Sequence, residues 1–266
     1  MSKKLTHDQI IKKLRNDKDY YGEFGKQYIS NSDIKHLLYE PAQFRVQVKE
    51  NENLAKGRLF HQLILEPQKA KDFPVVDVKT RGNEYREFLE EKGLEFALKK
   101  SEAKEIHEMV DWFMEKDNPK TIAIKEHLFD FGAKYEVPMI GDIMGAEKPI
   151  FKGKADCISN DIIIDLKSTS DINKFIQNAP YFFYDSQAFI YQQLFSMPIV
   201  FFVIGKQKKQ YGTTNEDYFD IGVFNVSPEF IAKGREKVEQ AMLHYEKYFS
   251  PQAEAKIEEI VLQATL

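Results

Sequence analysis

The spacing of apolar residues changes along this chain, and the changes divide it into elements. Thr6 to Leu14 has helical spacing with Thr6 placed to cap. Ser30-Asn31-Ser32-Asp33 offers capping side chains ahead of Ile34, Leu37 and Leu38. That helix should stop near Pro41, because the residue before a proline avoids the helical region. Leu54, Ala55, Leu59, Phe60, Leu63, Ile64 and Leu65 run nearly all the way round a helix, which predicts a largely buried element ending at Pro67. Arg58 and His61 interrupt it, three apart and so on one face, and Gly57 one turn before His61 leaves room beside the imidazole. Two charged, amphipathic packing helices are expected next, Asn83 to Lys99 and Glu102 to Lys116, with Met109, Val110, Trp112 and Phe113 as core.

The period then shortens. Thr121 to Ile124, Glu126 to Phe131 and Ala133 to Met139 read as extended; Gly141, Asp142 and Gly145 suggest a turn before Ile150-Phe151 resumes a strand. Asp156 to Lys167 reads as two short strands joined at Ser159-Asn160-Asp161. Alternation puts Asp165 and Lys167 on one face of the second strand and Leu166 on the other. Ser168-Thr169-Ser170-Asp171 can cap a helix starting near Ile172, and Tyr184-Asp185-Ser186 another from Gln187 to about Met197, on which Gln187 and Tyr191 share a face. Ile199 to Ile204 fits a buried strand, Lys206 to Gly212 a basic turn, Tyr218 to Val226 an alternating strand, and Pro228 to Phe249 a long helix entered through Ser227.

This order predicts an α/β (α+β) fold with a mixed sheet clothed by N-terminal helices. No linker divides the chain, so one domain is expected: a mainly helical part over 1–118, a sheet core over 119–226 and C-terminal helices over 227–266.

Composition narrows the classes. Apolar residues make up 42% of the 266 residues, with 21 Phe and 13 Tyr, ample for a core. The single Cys157 rules out an intrachain disulfide and a four-cysteine zinc or iron-sulfur site, pointing to a reducing, cytoplasmic compartment. No secretory signal is visible, and windows such as Pro198 to Gly205 are too short to cross a bilayer, so no membrane association is expected. A net charge of −4 argues against binding nucleic acid by bulk positive charge. It leaves room for a local basic channel, and Lys148, Lys152, Lys154, Lys167, Lys206, Lys208 and Lys209 all lie in the half that holds Asp156 and Asp165.

Two carboxylates and an ammonium converging on one hairpin suit a divalent cation and a negatively charged ester. Hydrolysing a phosphodiester needs an activated water, neutralised transition-state charge and help for the leaving oxygen. Asp156 and Asp165, with the Leu166 carbonyl, are hard oxygen donors that suit Mg²⁺ or Mn²⁺, and His61 adds a borderline ligand. Lys167 would orient or deprotonate the attacking water or hold the scissile phosphate; the surrounding anions should keep it charged, which favours positioning. Arg58 has the planar fork to grip a 5′ phosphate, with a surface ion pair as the competing fate.

In order, Gly57-xxx-His61, Asp156, Asp165-Leu166-Lys167 and Gln187-xxx-Tyr191 resemble the PD-(D/E)XK nuclease superfamily, in its RecB-like branch with the QxxxY motif. Over about Tyr28 to Phe249 the chain is similar to the RecE-like, or exonuclease VIII, nucleases. The matching stretches are Ile29 to Ile34, Gly57 to His61 with Leu65-Glu66-Pro67, Gly153 to Asp156, Asp165 to Ile172 and Gln187 to Tyr191. Asp165, where the superfamily often has Glu, fits that branch.

The resemblance implies a restriction-endonuclease-like core and a Mg²⁺-dependent 5′ to 3′ exonuclease on double-stranded DNA ends, with Mn²⁺ as substitute. It also implies 3′ single-stranded tails for annealing-type recombination, a toroidal homo-oligomer, a RecT-type annealing partner and a bacterial or phage origin. By position it makes Asp156, Asp165, Lys167, Gln187 and Tyr191 catalytic, gives the metal His61, Asp156, Asp165 and the Leu166 carbonyl with Glu136 as a further candidate, and points to Arg58, Lys154, Ser168 and Thr169 as DNA contacts. Rival readings are an endonuclease or a repair or defence nuclease on the same core, and a non-catalytic DNA-binding subunit. The last would be marked by loss of an acid or of Lys167, and both acids and Lys167 are present. A small-molecule metal hydrolase finds no nucleophile motif such as G-x-S-x-G.

Overall fold

The computed structural model describes residues 5–46, 48–115, 118–145, 148–253 and 255–257. Helices α1 (His7–Leu14), α2 (Asp17–Tyr21), α3 (Asn31–Tyr39), α4 (Glu52–Leu65) and α5 (Pro67–Ala70) come first. Strand β1 (Val75–Val76), α6 (Asn83–Lys92), β2 (Leu98–Lys99), α7 (Lys100–Met114) and α8 (Ile122–Leu128) follow. The main sheet is built from β3 (Lys134–Gly141), β4 (Phe151–Ser159), β5 (Ile162–Thr169), β6 (Ile199–Gln210) and β7 (Asp217–Asn225). Helices α9 (Phe175–Asn178) and α10 (Tyr184–Phe195) lie between β5 and β6, and α11 (Pro228–Tyr248) follows β7.

The five strands lie in sequence order and every neighbouring pair is antiparallel except β5 and β6, which are parallel. Parallel neighbours need a crossover, and α9 and α10 supply it. Alternation along the strands feeds two cores. Ile163, Phe201 and Val203 pack with α3, α10 and α11 on one face, while Ile164, Leu166, Phe202 and Ile204 pack with α4, α7 and α8 on the other. The expected α+β architecture with a mixed sheet is what forms.

Local signals explain many of the boundaries. Thr6 closes a capping box with Gln9, Ser30 another with Asp33, and the Ser227 side chain accepts from Phe230 N–H. Asn160 and Asp161 both have positive φ, 49° and 59°, which is the two-residue turn whose twist suits a tight hairpin.

Several expectations are corrected. The helix expected over Asn83 to Lys99 ends at Lys92, because Gly93 takes a left-handed conformation at its C-terminus. Lys116, the expected end of the next helix, lies outside the described residues, and that helix runs Lys100–Met114. Thr121 to Phe131, read as extended, contains α8 instead: Ile124 and Leu128, four apart, pack on the α4 side of the sheet, which an extended segment would not allow. The basic turn expected over Lys206 to Gly212 is mostly strand, with Lys208 paired to Phe219 and Lys209 to Tyr218 of β7 beyond a bulge between Ile204 and Lys208. Cross-strand ion pairs Lys208–Asp217 and Lys209–Asp220 hold this polar ribbon together where no apolar pattern announces it. Tyr184, Asp185 and Ser186 are the first residues of α10 and not its cap; Phe183 precedes it in a left-handed conformation. Of the C-terminal part expected to be helical, α11 is observed and residues 258–266 lie outside the described residues.

Candidate active site

The site forms where the β4–β5 hairpin opens. Beyond the turn the ladder runs through Ser159–Ile162, Ile158–Ile163 and Cys157–Ile164 and then stops. Backbone groups freed at such a split need other partners. The Leu166 N–H donates to Asp156 Oδ2 at 2.8 Å, and the Leu166 carbonyl accepts from His61 Nε2 at 2.9 Å. Asp156 and His61 therefore stand at the opening because they complete the hydrogen bonding of β5.

The same bond fixes the histidine tautomer. A carbonyl only accepts, so Nε2 carries the proton and Nδ1 keeps its lone pair. Burial, and then the charge of Lys167, lower the His61 pKa, which holds the ring neutral. Nδ1 lies 3.6 Å from Asp156 Oδ2.

Glu136 completes the group. In the β3–β4 register it falls opposite Asp156, between the paired steps Tyr135–Cys157 and Val137–Ala155. Its φ of +47° is left-handed, unusual for a glutamate inside a strand and typical of a functional position. Ligand atoms of His61, Glu136 and Asp156 all lie within 4.8 Å of one another. One imidazole nitrogen and two carboxylates form a donor set that suits a small divalent cation. Without a cation this is a costly arrangement. Burial, and then the Asp156 charge, raise Glu136 to about 7, while burial, and then Asp165, push Asp156 well above the carboxylate range.

Asp165 sits beside this triad with other partners. It is 1% exposed, ion-pairs with Lys167, and accepts from Gln187 Nε2 at 2.7 Å. Burial alone would lower the Lys167 pKa, but Asp165 and Asp156 outweigh it and raise it, so the ammonium stays charged. Lys167 Nζ also lies 5.0 Å from the Tyr184 ring centroid.

The remaining expected residues divide. Tyr191 is buried, and its hydroxyl donates to the Lys154 carbonyl at 2.9 Å, so it anchors β4 and does not touch Lys167. Its fit against β4 needs Gly153, where a Cβ would come within 3.0 Å of the Tyr191 and Leu194 side chains. Gln187 reaches Asp165, the ion-pair partner of Lys167, and not Lys167 itself. The Lys154 ammonium is buried and engaged by Asp17 at 2.6 Å and Glu136 at 3.7 Å. Arg58 reaches Glu50 at 2.8 Å and stacks on Phe73, away from the cluster. Ser168 and Thr169 lie toward the end of β5 outside the cleft lining, with Thr169 Oγ1 accepting from Asp171 N–H.

A cleft of about 860 Å³ holds His61, Glu136, Asp156, Asp165, Lys167, Gln187 and Tyr191 together. Its other walls include Tyr20, Tyr21, Lys26, Arg45 and Lys152. Tyr20 and Tyr21 end the short helix α2, Lys26 lies in the turn after it and Arg45 after α3, and no apolar periodicity marks these positions in the sequence. Lys152, in the sequence's lysine set, donates to the Tyr20 carbonyl at 2.6 Å, and burial lowers its pKa to about 8.

The fold and the gathered acids and lysine are those of a PDDEXK-like domain. Residues 31–259 match the family described as a PDDEXK-like domain of unknown function (DUF3799), and the chain belongs to that family. Among solved structures it is similar to a phage-related exonuclease from Haemophilus somnus 129PT, at 13% identity over 83% of this chain and 94% of that one. The TM-score is 0.36. No curated protein is matched.

Proposed function

We propose that this chain, acting as one nuclease domain, is a Mg²⁺-dependent exonuclease that degrades linear double-stranded DNA from its ends. The observation that carries the reading is the His61–Glu136–Asp156 donor set next to the Asp165–Lys167 pair in one cleft. When bound, a divalent cation supplies Lewis-acid charge and lowers the pKa of water. His61 Nδ1, Glu136 and Asp156 are the groups that would hold it. Asp165 adds negative charge at the edge of that set and keeps the Lys167 ammonium in place, with Gln187 fixing the carboxylate from the other side. Lys167, charged and partly exposed to the cleft, binds the scissile phosphate and orients the attacking water; its raised pKa disfavours a general-base role.

The finer reading rests on the RecE-like stretches Ile29 to Ile34 and Asp165 to Ile172. They support 5′ to 3′ polarity, 3′ tails delivered to a RecT-type annealing protein, a toroidal homo-oligomer and a cytoplasmic site of action. Among the described residues, no helix is long and apolar enough to cross a membrane. An endonuclease on the same core is the second reading, and it differs in a single readout. Linear duplex DNA and a covalently closed circle are incubated with the protein and Mg²⁺: loss of the linear form alone supports the exonuclease, and cutting of the circle replaces it with the endonuclease.

A further inference from the structure

Gln43-Phe44-Arg45-Val46 makes a tight turn after α3, closed by the Val46 N–H donating to the Gln43 carbonyl at 3.1 Å. Phe44 has φ −57° and ψ 121°, and Arg45 has φ +62°, the left-handed third position of a type II turn. That position favours glycine or asparagine. An arginine there carries backbone strain, and such strain clusters at active sites and ligand clamps. Arg45 lines the cleft, and its guanidinium packs 4.7 Å from the Phe44 ring centroid, with Phe44 itself 4.6 Å from Phe249. Its Nε, which can only donate, is buried and has no hydrogen-bond partner among the described residues.

Lys152 lines the same cleft and is 6% exposed. Its ammonium uses one donor on the Tyr20 carbonyl at 2.6 Å. Burial lowers its pKa to about 8; Asp33 opposes the shift, and the charges of Arg45 and Lys154 add to it. Among the described residues neither Arg45 nor Lys152 is ion-paired, because the acids near them are engaged elsewhere. Asp33 accepts from the Ser30 N–H at 2.7 Å and Ser30 Oγ at 2.8 Å, and Glu23 pairs with Lys26 at 2.7 Å. Lys154, the next cation on β4, is taken by Asp17 and Glu136. Cations withdrawn from water without a counter-ion are costly, and one anion between these two would relieve both.

Their place in the cleft says which anion. Lys152 and Asp156 are four residues apart on β4, about 13 Å along the strand. An anion held by Arg45 and Lys152 is therefore a second one, separate from the phosphate at Lys167 and the metal ligands. A nucleic-acid strand lying in the cleft carries phosphates to both.

We propose that Arg45 and Lys152 form a second phosphate site in the cleft, for a phosphate of bound DNA other than the scissile one; this rests on the nuclease reading above. Arg45 supplies a planar fork for two phosphate oxygens, and Lys152 a point charge. The group is the terminal monoester of a DNA end or an internal diester, which present the same oxygens.

The test follows fluorescence anisotropy of a labelled linear duplex, with 5′-phosphate or 5′-hydroxyl ends, in EDTA over a series of salt concentrations. Wild type is compared with Arg45→Gly, whose glycine suits the turn, and with Lys152→Met, which keeps the buried apolar length. Each variant should bind about tenfold more weakly. The slope of log affinity against log salt should fall by about 0.9, the loss of one phosphate contact. Arg45→Gly should melt no lower than wild type, which separates a lost contact from a damaged fold. Loss confined to 5′-phosphate ends assigns the terminal monoester, and equal loss on both duplexes the internal diester. Unchanged affinity and slope in both variants overturns the proposal, and so does weaker binding with the wild-type slope, which marks a structural role. If wild type degrades linear duplex with Mg²⁺ while both variants bind as wild type does, the second phosphate site alone fails. Absence of degradation with any divalent metal, with affinity and slope lost in the variants, is failure of the nuclease reading and leaves the phosphate site standing.

Discussion

Glu136 shows what one residue does here. Its carboxylate is raised to about 7 from a usual 4.5, so the metal-free fold carries a cost that is absent below the unfolded value and complete above the folded one. The cost is on the order of 3 kcal/mol from the size of the shift. Glu136→Gln keeps the shape and removes the charge. It should raise the melting temperature of the metal-free protein at pH 8, while weakening Mg²⁺ binding by calorimetry about tenfold or more. A variant with lower stability and unchanged metal affinity would remove Glu136 from the site. Lys167→Ala and Asp165→Ala should each abolish Mg²⁺-dependent release of nucleotides with the fold retained, and full activity in either would sink the site.

Most of the residues that gather in the cleft were legible at this scale. Two-residue alternation brought Asp165 beside Lys167, and helical spacing brought Gln187 and Tyr191 to one face. What spacing could not give is the division of labour. Asp165 is held by Lys167 and Gln187 while Glu136, on another strand and in a left-handed conformation, joins His61 and Asp156. Arg58 and His61 share a face by count, but the long guanidinium stem carries Arg58 to Glu50.

Among elements, the β4–β5 hairpin and α10 matter most, because the opening of the hairpin forms the site and α10 closes on it through Gln187. Gly153 sets how closely α10 lies on β4. Gly153→Ala should push on Tyr191 and Leu194, cost about 1–3 kcal/mol, and lower the rate of DNA degradation more than it lowers substrate binding. Thermal melts and steady-state kinetics check both parts, and a variant with wild-type kinetics would show that α10 does not set the site. The hairpin was readable from its turn and alternation. The α8 segment was not, since seven residues give too few turns to separate helix from strand by period, and its β-branched residues lean the wrong way. The outer half of β6 was hidden because charge pairs hold it in place of an apolar pattern.

Over the whole molecule, net charge conceals the cleft. Of the lysines grouped by sequence, Lys152, Lys154 and Lys167 line it, whereas Lys148 pairs with Glu246, and Lys208 and Lys209 pair with acids on the β6–β7 ribbon. Folding also gathers two carboxylates whose pKa values are raised, and cation binding must displace their protons. Mg²⁺ should therefore raise the melting temperature strongly at pH 8 and little at pH 5, with proton release near pH 7 detectable by calorimetry in buffers of different ionisation enthalpy. Stabilisation independent of pH would place the cation elsewhere.

We propose a metal-dependent exonuclease centred on the β4–β5 opening. Its most direct measurement follows an end-labelled linear duplex and a covalently closed circle of the same sequence, with Mg²⁺ or EDTA, for wild type and Lys167→Ala. The expected result is loss of the linear DNA only with wild type and Mg²⁺, and an intact circle throughout. Cleavage of the circle, activity in EDTA, or full activity of Lys167→Ala would contradict it.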